Sequence, residues 1–152
     1  MAPVTIPTKF TVANHNQNDF KGSADLPFSP QIATSEREYI GGELQGKVTT
    51  VYTMFKYSNH ANKDDGSFIG IQIFTGTLQG KKGSFASHIT GTKVDGVVTS
   101  KFTIVPESST DELKGIKGHG SYAIADANAL AARAKAEPDF KIVVHGELTF
   151  EL

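Results

Sequence analysis

Glu43-Leu44-Gln45-Gly46, Thr77-Leu78-Gln79-Gly80 and Glu112-Leu113-Lys114-Gly115 are near copies of one another, and Gly146-Glu147-Leu148 begins a fourth. Their leucines are spaced 34, 35 and 35 residues apart. Between them run alternating β-branched, aromatic and polar residues, the pattern of strands with one buried face. A unit of this length holds two strands and two turns, so the echo predicts a sheet built from near-equivalent pieces. It speaks to architecture and carries no activity.

Outward from the first echo, residues 43–57 read as one long strand. Val48, Thr50, Tyr52 and Met54 share one face; Val51, Thr53, Phe55 and Tyr57 share the other. With bulk on both faces, such a strand is covered on both sides, or lines a narrow interior with one and meets a subunit with the other. Residues 67–79 repeat the pattern, with Phe68, Gln72, Phe74 and Leu78 opposing Ile69, Ile71, Ile73 and Thr75. Lys81-Lys82-Gly83 reads as a tight connection into a strand over 84–92. Asp95-Gly96 is a hairpin signal leading into 97–105, which Pro106 ends.

Upstream, residues 5–13 form a first strand, and the polar stretch from Asn14 to Pro30, broken by Gly22 and Pro27, reads as a surface excursion. A second strand over 31–40 places Glu36, Arg37 and Glu38 between Ile32 and Tyr39-Ile40, as a solvated edge with local ion pairs; the alternative is an inward-facing charge, of which Arg37 would bind a carboxylate well if buried. Gly41-Gly42 turns it. Downstream, residues 111–125 are glycine-rich. Residues 126–137 are the one convincing helix, capped by Asp126, filled with alanine and stopped by Pro138. With Leu130 its only large apolar residue, it reads as a short insertion on the surface. A last strand over 140–151 aligns Ile142, Val144, Leu148 and Phe150.

The sum is an all-β chain of about eight antiparallel strands, forming a single domain over residues 1–152 with a helical insertion at about 126–137. Hairpin-linked strands in even number can close into a barrel, which removes exposed edges. A two-sheet sandwich is the alternative.

Composition narrows the function classes. The formal net charge is -1 and no basic run is present, so nothing pulls on a nucleic-acid backbone or an anionic membrane. The absence of cysteine rules out disulfides, thiolate nucleophiles and sulfur-based zinc sites. No stretch approaches the roughly 20 apolar residues of a membrane helix, and no signal-like leader precedes the first strand, so cytoplasm is the expected compartment.

Two longer stretches carry a resemblance. Gly70-Ile71-Gln72-Ile73-Phe74-Thr75-Gly76-Thr77-Leu78-Gln79-Gly80-Lys81-Lys82-Gly83-Ser84-Phe85, followed by His88 and Gly91, resembles the signature of an uncharacterised bacterial family, domain of unknown function 3224. Val105-Pro106-Glu107-Ser108-Ser109-Thr110-Asp111-Glu112-Leu113-Lys114-Gly115-Ile116-Lys117-Gly118 resembles its second signature. The resemblance implies an allene oxide cyclase-like barrel around a central cavity, with self-association common among relatives, and it implies no activity. This chain has Gln72 where the family usually has glutamate, which removes an interior carboxylate. It also has Glu107, Ser109 and Asp111 where the family usually has glycine, so a looser turn is expected there.

The candidate pocket residues are Tyr52, Met54, Gln72, Phe74, His88 and Phe102. Gln72 sits among apolar residues on its face and needs a hydrogen-bond partner, from the protein or from a ligand. His88, if it looks inward, could move a proton near neutral pH. Tyr52 and Met54 share a face and would line a cavity or pack the core. The other histidines lack the short spacing of a metal site, and Gly80-Lys81-Lys82-Gly83 lacks that of a phosphate loop. No cofactor is expected. The leading expectation is a binding module for a small, mainly apolar molecule. An isomerase- or cyclase-like enzyme in the same cavity and a filled, ligand-free structural barrel are the alternatives.

Overall fold

Eight strands follow one another around a closed barrel in the computed structural model, which describes residues 2–19, 30–57 and 59–152. They are β1 (Val4–Asp19), β2 (Pro30–Tyr39), β3 (Leu44–Lys56), β4 (Gly66–Leu78), β5 (Lys81–Val94), β6 (Val97–Ile104), β7 (Lys117–Ile124) and β8 (Val143–Glu151). Every neighbouring pair is antiparallel, and β8 returns to β1 with Ile6 opposite Leu148. A 3-10 turn (Asp111–Leu113) precedes β7, and helix α1 (Ala127–Ala136) joins β7 to β8.

The turns obey local chemistry. Asp95 and Gly96 both have positive φ, closing the β5–β6 hairpin between Val94 and Val97. The β4–β5 hairpin turns at Gln79-Gly80, also both at positive φ, with Leu78 opposite Lys81. Lys81, Lys82 and Gly83, expected in the turn, therefore belong to β5. The expected excursion after residue 13 also changes. Asn14–Asp19 continue β1 past a bulge, where Asn14 takes φ 50° and the register with β2 shifts. The rest of that excursion, residues 20–29, lies outside the described residues.

Side chains divide by parity. On β3, Leu44, Val48, Thr50 and Tyr52 are buried while Lys47, Thr49, Val51 and Thr53 are exposed. Six inward aromatics lie directly across from a glycine on a neighbouring strand: Tyr39 from Gly46, Tyr52 from Gly70, Phe68 from Gly91, Phe102 from Gly120, Tyr122 from Gly146 and Phe150 from Gly118. The missing side chain is the space the ring occupies: a methyl on Gly120 would collide with Phe102 Cζ.

One end of the barrel is packed solid. Leu44, Leu78, Phe85, Ile104, Leu113, Ile116 and Leu148 are all buried there or just above, within one continuous core. The segment from Val105 to Gly115, the core of the second signature, is the stopper of that end. It covers the edge of β5 beyond the reach of β6: Thr110 N–H donates to Ser84 O at 2.9 Å, and Ala86 N–H to Ser108 Oγ at 3.0 Å. It drives Leu113 and Ile116 inward. Glu107 and Asp111 hold φ of 65° and 53°, so the turn keeps a glycine-like backbone without glycine, where a looser one was expected.

The outer face of β4 carries no charged side chain. Ile69, Ile71 and Ile73 of β4 are 60%, 46% and 53% exposed, flanked by exposed Val51 and Ile32. Val51 lies opposite Ile71, and His88 lies beyond it.

Candidate functional site

At the other end the barrel stays open. Its mouth encloses a cavity of about 410 Å³, with Met54, Phe68, Val98, Ile124, Phe140 and Ile142 among its walls. Helix α1 lies over it, contributing Ala127, Ala131 and Ala134. That spacing places all three on one face of the helix, and their methyls leave room beneath it. The alanine-rich composition is therefore the inner lining of a cover as well as a surface feature. The helix is not capped by the Asp126 side chain, which makes no capping hydrogen bond. It is tied down by Ala127 N–H to Gly96 O at 3.0 Å and by Lys93 Nζ to Asn128 Oδ1 at 2.7 Å. At its far end Arg133 bonds Glu137 and stacks over Phe140, 4.0 Å from the ring centre.

Arg37 lies at the inner part of this cavity. It shares the inward parity of β2 with Ala33, Ser35 and Tyr39, while Glu36 and Glu38 face solvent. The expected solvated edge is thus two outward carboxylates around an inward cation. The guanidinium lies 5.0 Å from the Phe10 ring centre and 5.1 Å from that of Tyr122, and its buried Nε has no hydrogen-bond partner. None of the ion pairs among the described residues involves it.

Beside Arg37 begins a row of polar side chains. Ser35 is opposite Thr50, Thr50 opposite Gln72, and Gln72 opposite Ser87. All four are buried, and the hydroxyls of Ser35, Thr50 and Ser87 have no partner. The row starts at the cavity wall with Ser35 and ends opposite Ile104 in the packed end.

Burial raises the Tyr52 hydroxyl above its ordinary pKa, and the positive charge of Arg37 offsets this only in part. Tyr39 is raised too, again by burial first. Both phenols are therefore protonated at neutral pH.

The expected pocket residues separate into three groups. Tyr52 and Met54 line the cavity. Gln72, Phe74 and Phe102 face the barrel interior but are packed: Phe74 contacts the rings of Tyr39 and Phe85, and Phe102 fills the space over Gly120. His88 does not look inward. Phe85, Ser87 and Ile89 take the inner face of β5, leaving His88 exposed outside. Ser35 and Tyr122 were not anticipated as cavity residues, and an inward Arg37 stood only as the alternative to a solvated edge, although parity with Tyr39, Ala33 and Gly120 was available. A wider depression of about 630 Å³ runs outside β5 to β8, past Thr99, Lys101, Ser121 and Glu147. It lies on the outer surface and lacks the cover that encloses the mouth.

The family model described as "Protein of unknown function (DUF3224)" matches residues 6–133. The chain belongs to the DUF3224 family. A crystal structure of a DUF3224 protein of unknown function from Shewanella oneidensis MR-1 is similar over 99% of this chain and 98% of that one, with a TM-score of 0.70 at 17% identity. At that identity the likeness shows the DUF3224 fold alone. No curated protein matches the chain. Among the described residues, no helix is long and apolar enough to cross a membrane.

Proposed function

We propose that the chain binds a small, mainly apolar molecule in the helix-covered mouth of its barrel. The observation that carries this reading is the cavity itself. About 410 Å³ lies within the range of small-molecule sites, and its apolar walls are interrupted by a few polar groups. A ligand-free barrel with a full interior has no use for a row of alanines spanning an open mouth. The cyclase-like alternative rests on analogy of fold. Its two proton carriers fare differently, since His88 is outside and Tyr52 is held protonated. The compartment we propose is the cytoplasm, and the partner a second copy of the chain seated on the exposed aliphatic patch of Ile69, Ile71, Ile73, Val51 and Ile32.

Native mass spectrometry of freshly purified protein, with small-molecule identification after denaturing extraction, tests the binding reading directly. Calorimetric titration with a medium-chain aliphatic alcohol complements it. Saturable one-to-one binding that Ala131→Trp abolishes is the expected result. Binding unaffected by that substitution, or none at all, would remove the mouth as the site.

A further inference from the structure

Building on the binding reading above, we infer that the ligand is a carboxylate, an apolar body with an anionic head that seats on the guanidinium of Arg37. The first ground is an uncompensated charge. Arg37 is turned into the barrel, its Nε is buried without a partner, and no described ion pair reaches it. Removing a cation from water is costly unless an anion or hydrogen-bond acceptors replace the lost hydration. The faces of Phe10 and Tyr122 supply part of that replacement. Stacking leaves the in-plane N–H donors available, and those match the two oxygens of a carboxylate.

The second ground is the lining as a whole. Among the described residues it includes Arg37, Lys93 and His15 and no aspartate or glutamate, in a chain whose net charge is -1. The cationic cavity is thus a local arrangement against the overall balance. Among the described residues every acidic side chain is exposed except Asp65, bound to His60, and the half-buried Glu151 at the end of β8. Lys93 donates to Asn128 and His15 pairs with Gln17, whereas Arg37 has a buried nitrogen without a partner, which makes it the head-group site.

The third ground is Ser35, two residues before Arg37 on the same inward face, with an unpartnered Oγ and a place in the same wall. It offers a second donor beside the guanidinium. The apolar walls under α1 would then hold the body of the ligand, toward the mouth.

The test is calorimetric titration of the full chain with an aliphatic carboxylic acid, the alcohol and the amine of equal chain length, all below their aggregation concentrations. At neutral pH the acid should bind about ten- to a hundred-fold more tightly than the alcohol, the range expected for hydrogen bonds to a charged group. The amine should bind most weakly. Arg37→Gln should bring the acid down to the affinity of the alcohol and leave the alcohol within about threefold; Arg37→Lys should restore part of the preference. Equal affinity of acid and alcohol for the unaltered protein overturns the carboxylate inference while the apolar-binding reading stands. No binding of any of the three overturns both. An acid preference that survives Arg37→Gln overturns the assignment to Arg37. Should Arg37→Gln fail to fold, the comparison on the unaltered protein still decides the class. Ser35→Ala then reads the position, with the acid weakened severalfold and the alcohol unchanged; an unchanged acid would refute it.

Discussion

Gly120→Ala is the sharpest probe of how this barrel is packed. An added methyl would overlap Phe102 Cζ, approach Phe102 Cε1 to 2.6 Å and reach 2.7 Å from the Glu147 carbonyl oxygen. Two of these three clashes are with one ring, and that ring is 4% exposed and cannot swing away freely. Overpacking of this kind costs about 1–3 kcal/mol, of which about 0.5–1 kcal/mol is returned by replacing a flexible residue in a strand. A net loss of about 1 kcal/mol lowers Tm by about 2–4 °C in a domain of this size. Phe102→Ala alone should cost about 4 kcal/mol, because it leaves a cavity. In that background the methyl on residue 120 enters the vacated space, and Gly120→Ala should cost nothing or stabilise slightly. The predicted coupling is therefore about 1–2 kcal/mol, above the scatter of independent sites. Thermal and urea unfolding of the four proteins measures it. An equal cost of Gly120→Ala in both backgrounds would refute the ring-over-glycine account and locate the strain at the Glu147 backbone.

Three further outcomes are expected. Asp65 is held below its ordinary carboxylate pKa of 3.8, first by the His60 side chain and then by the Asp95 N–H. A depressed pKa contributes stability above the unfolded value, and this is lost as pH falls through the folded one. The gap in Tm between the unaltered protein and Asp65→Asn should be full at pH 6 and shrink below about pH 3.8; a gap constant down to pH 2.5 would contradict it. Glu107→Gly relieves a residue at φ 65°, where the left-handed conformation costs about 1–2 kcal/mol and glycine's flexibility returns about 0.5–1, so Tm should rise by about 1–4 °C. A fall in Tm would show that the turn depends on the glutamate side chain. Ile71→Lys, on the exposed centre of the outer face, should leave folding stability within about 0.5 kcal/mol while halving the mass seen in sedimentation. A monomeric unaltered protein would dismiss that face as an interface.

The barrel was legible because most of its strands alternate cleanly. Phe85, Phe102 and Phe150 announce an inner face, β3 and β4 carry bulk on both, and Asp95-Gly96 and Gly41-Gly42 announce turns. The echo pointed to the right architecture for a reason that does not hold. Leu44 opens β3, Leu78 closes β4, Leu113 sits in the 3-10 turn and Leu148 lies within β8, so the four are buried but occupy unlike positions. Their common property is burial. The extension of β1 was hidden because Ala13–Asp19 at the rim are exposed on both faces, which erases the period of two.

The cavity residues were hidden by the same physics that suits them to the proposed site. On β2 the inner face reads Ala33, Ser35, Arg37, Tyr39, while apolar Ile32 points outward at 40% exposure. Small and polar residues inside with an aliphatic outside invert the ordinary signal, so hydrophobic phase assigns Arg37 to solvent. Only the pairing of Ser35 with Thr50 and Arg37 with Val48 fixes the phase, and the sequence does not settle that pairing, because β3 carries bulk on both faces. The inversion has a physical origin. Under the proposed binding reading, a wall that leaves volume for another molecule would not be filled with leucine and phenylalanine, and one that grips a head group would carry an uncompensated donor. The packed end follows the folding code, with the echo leucines in its core. The open end departs from it at Ser35, Arg37 and the alanines of α1, and those departures together mark where a ligand would sit.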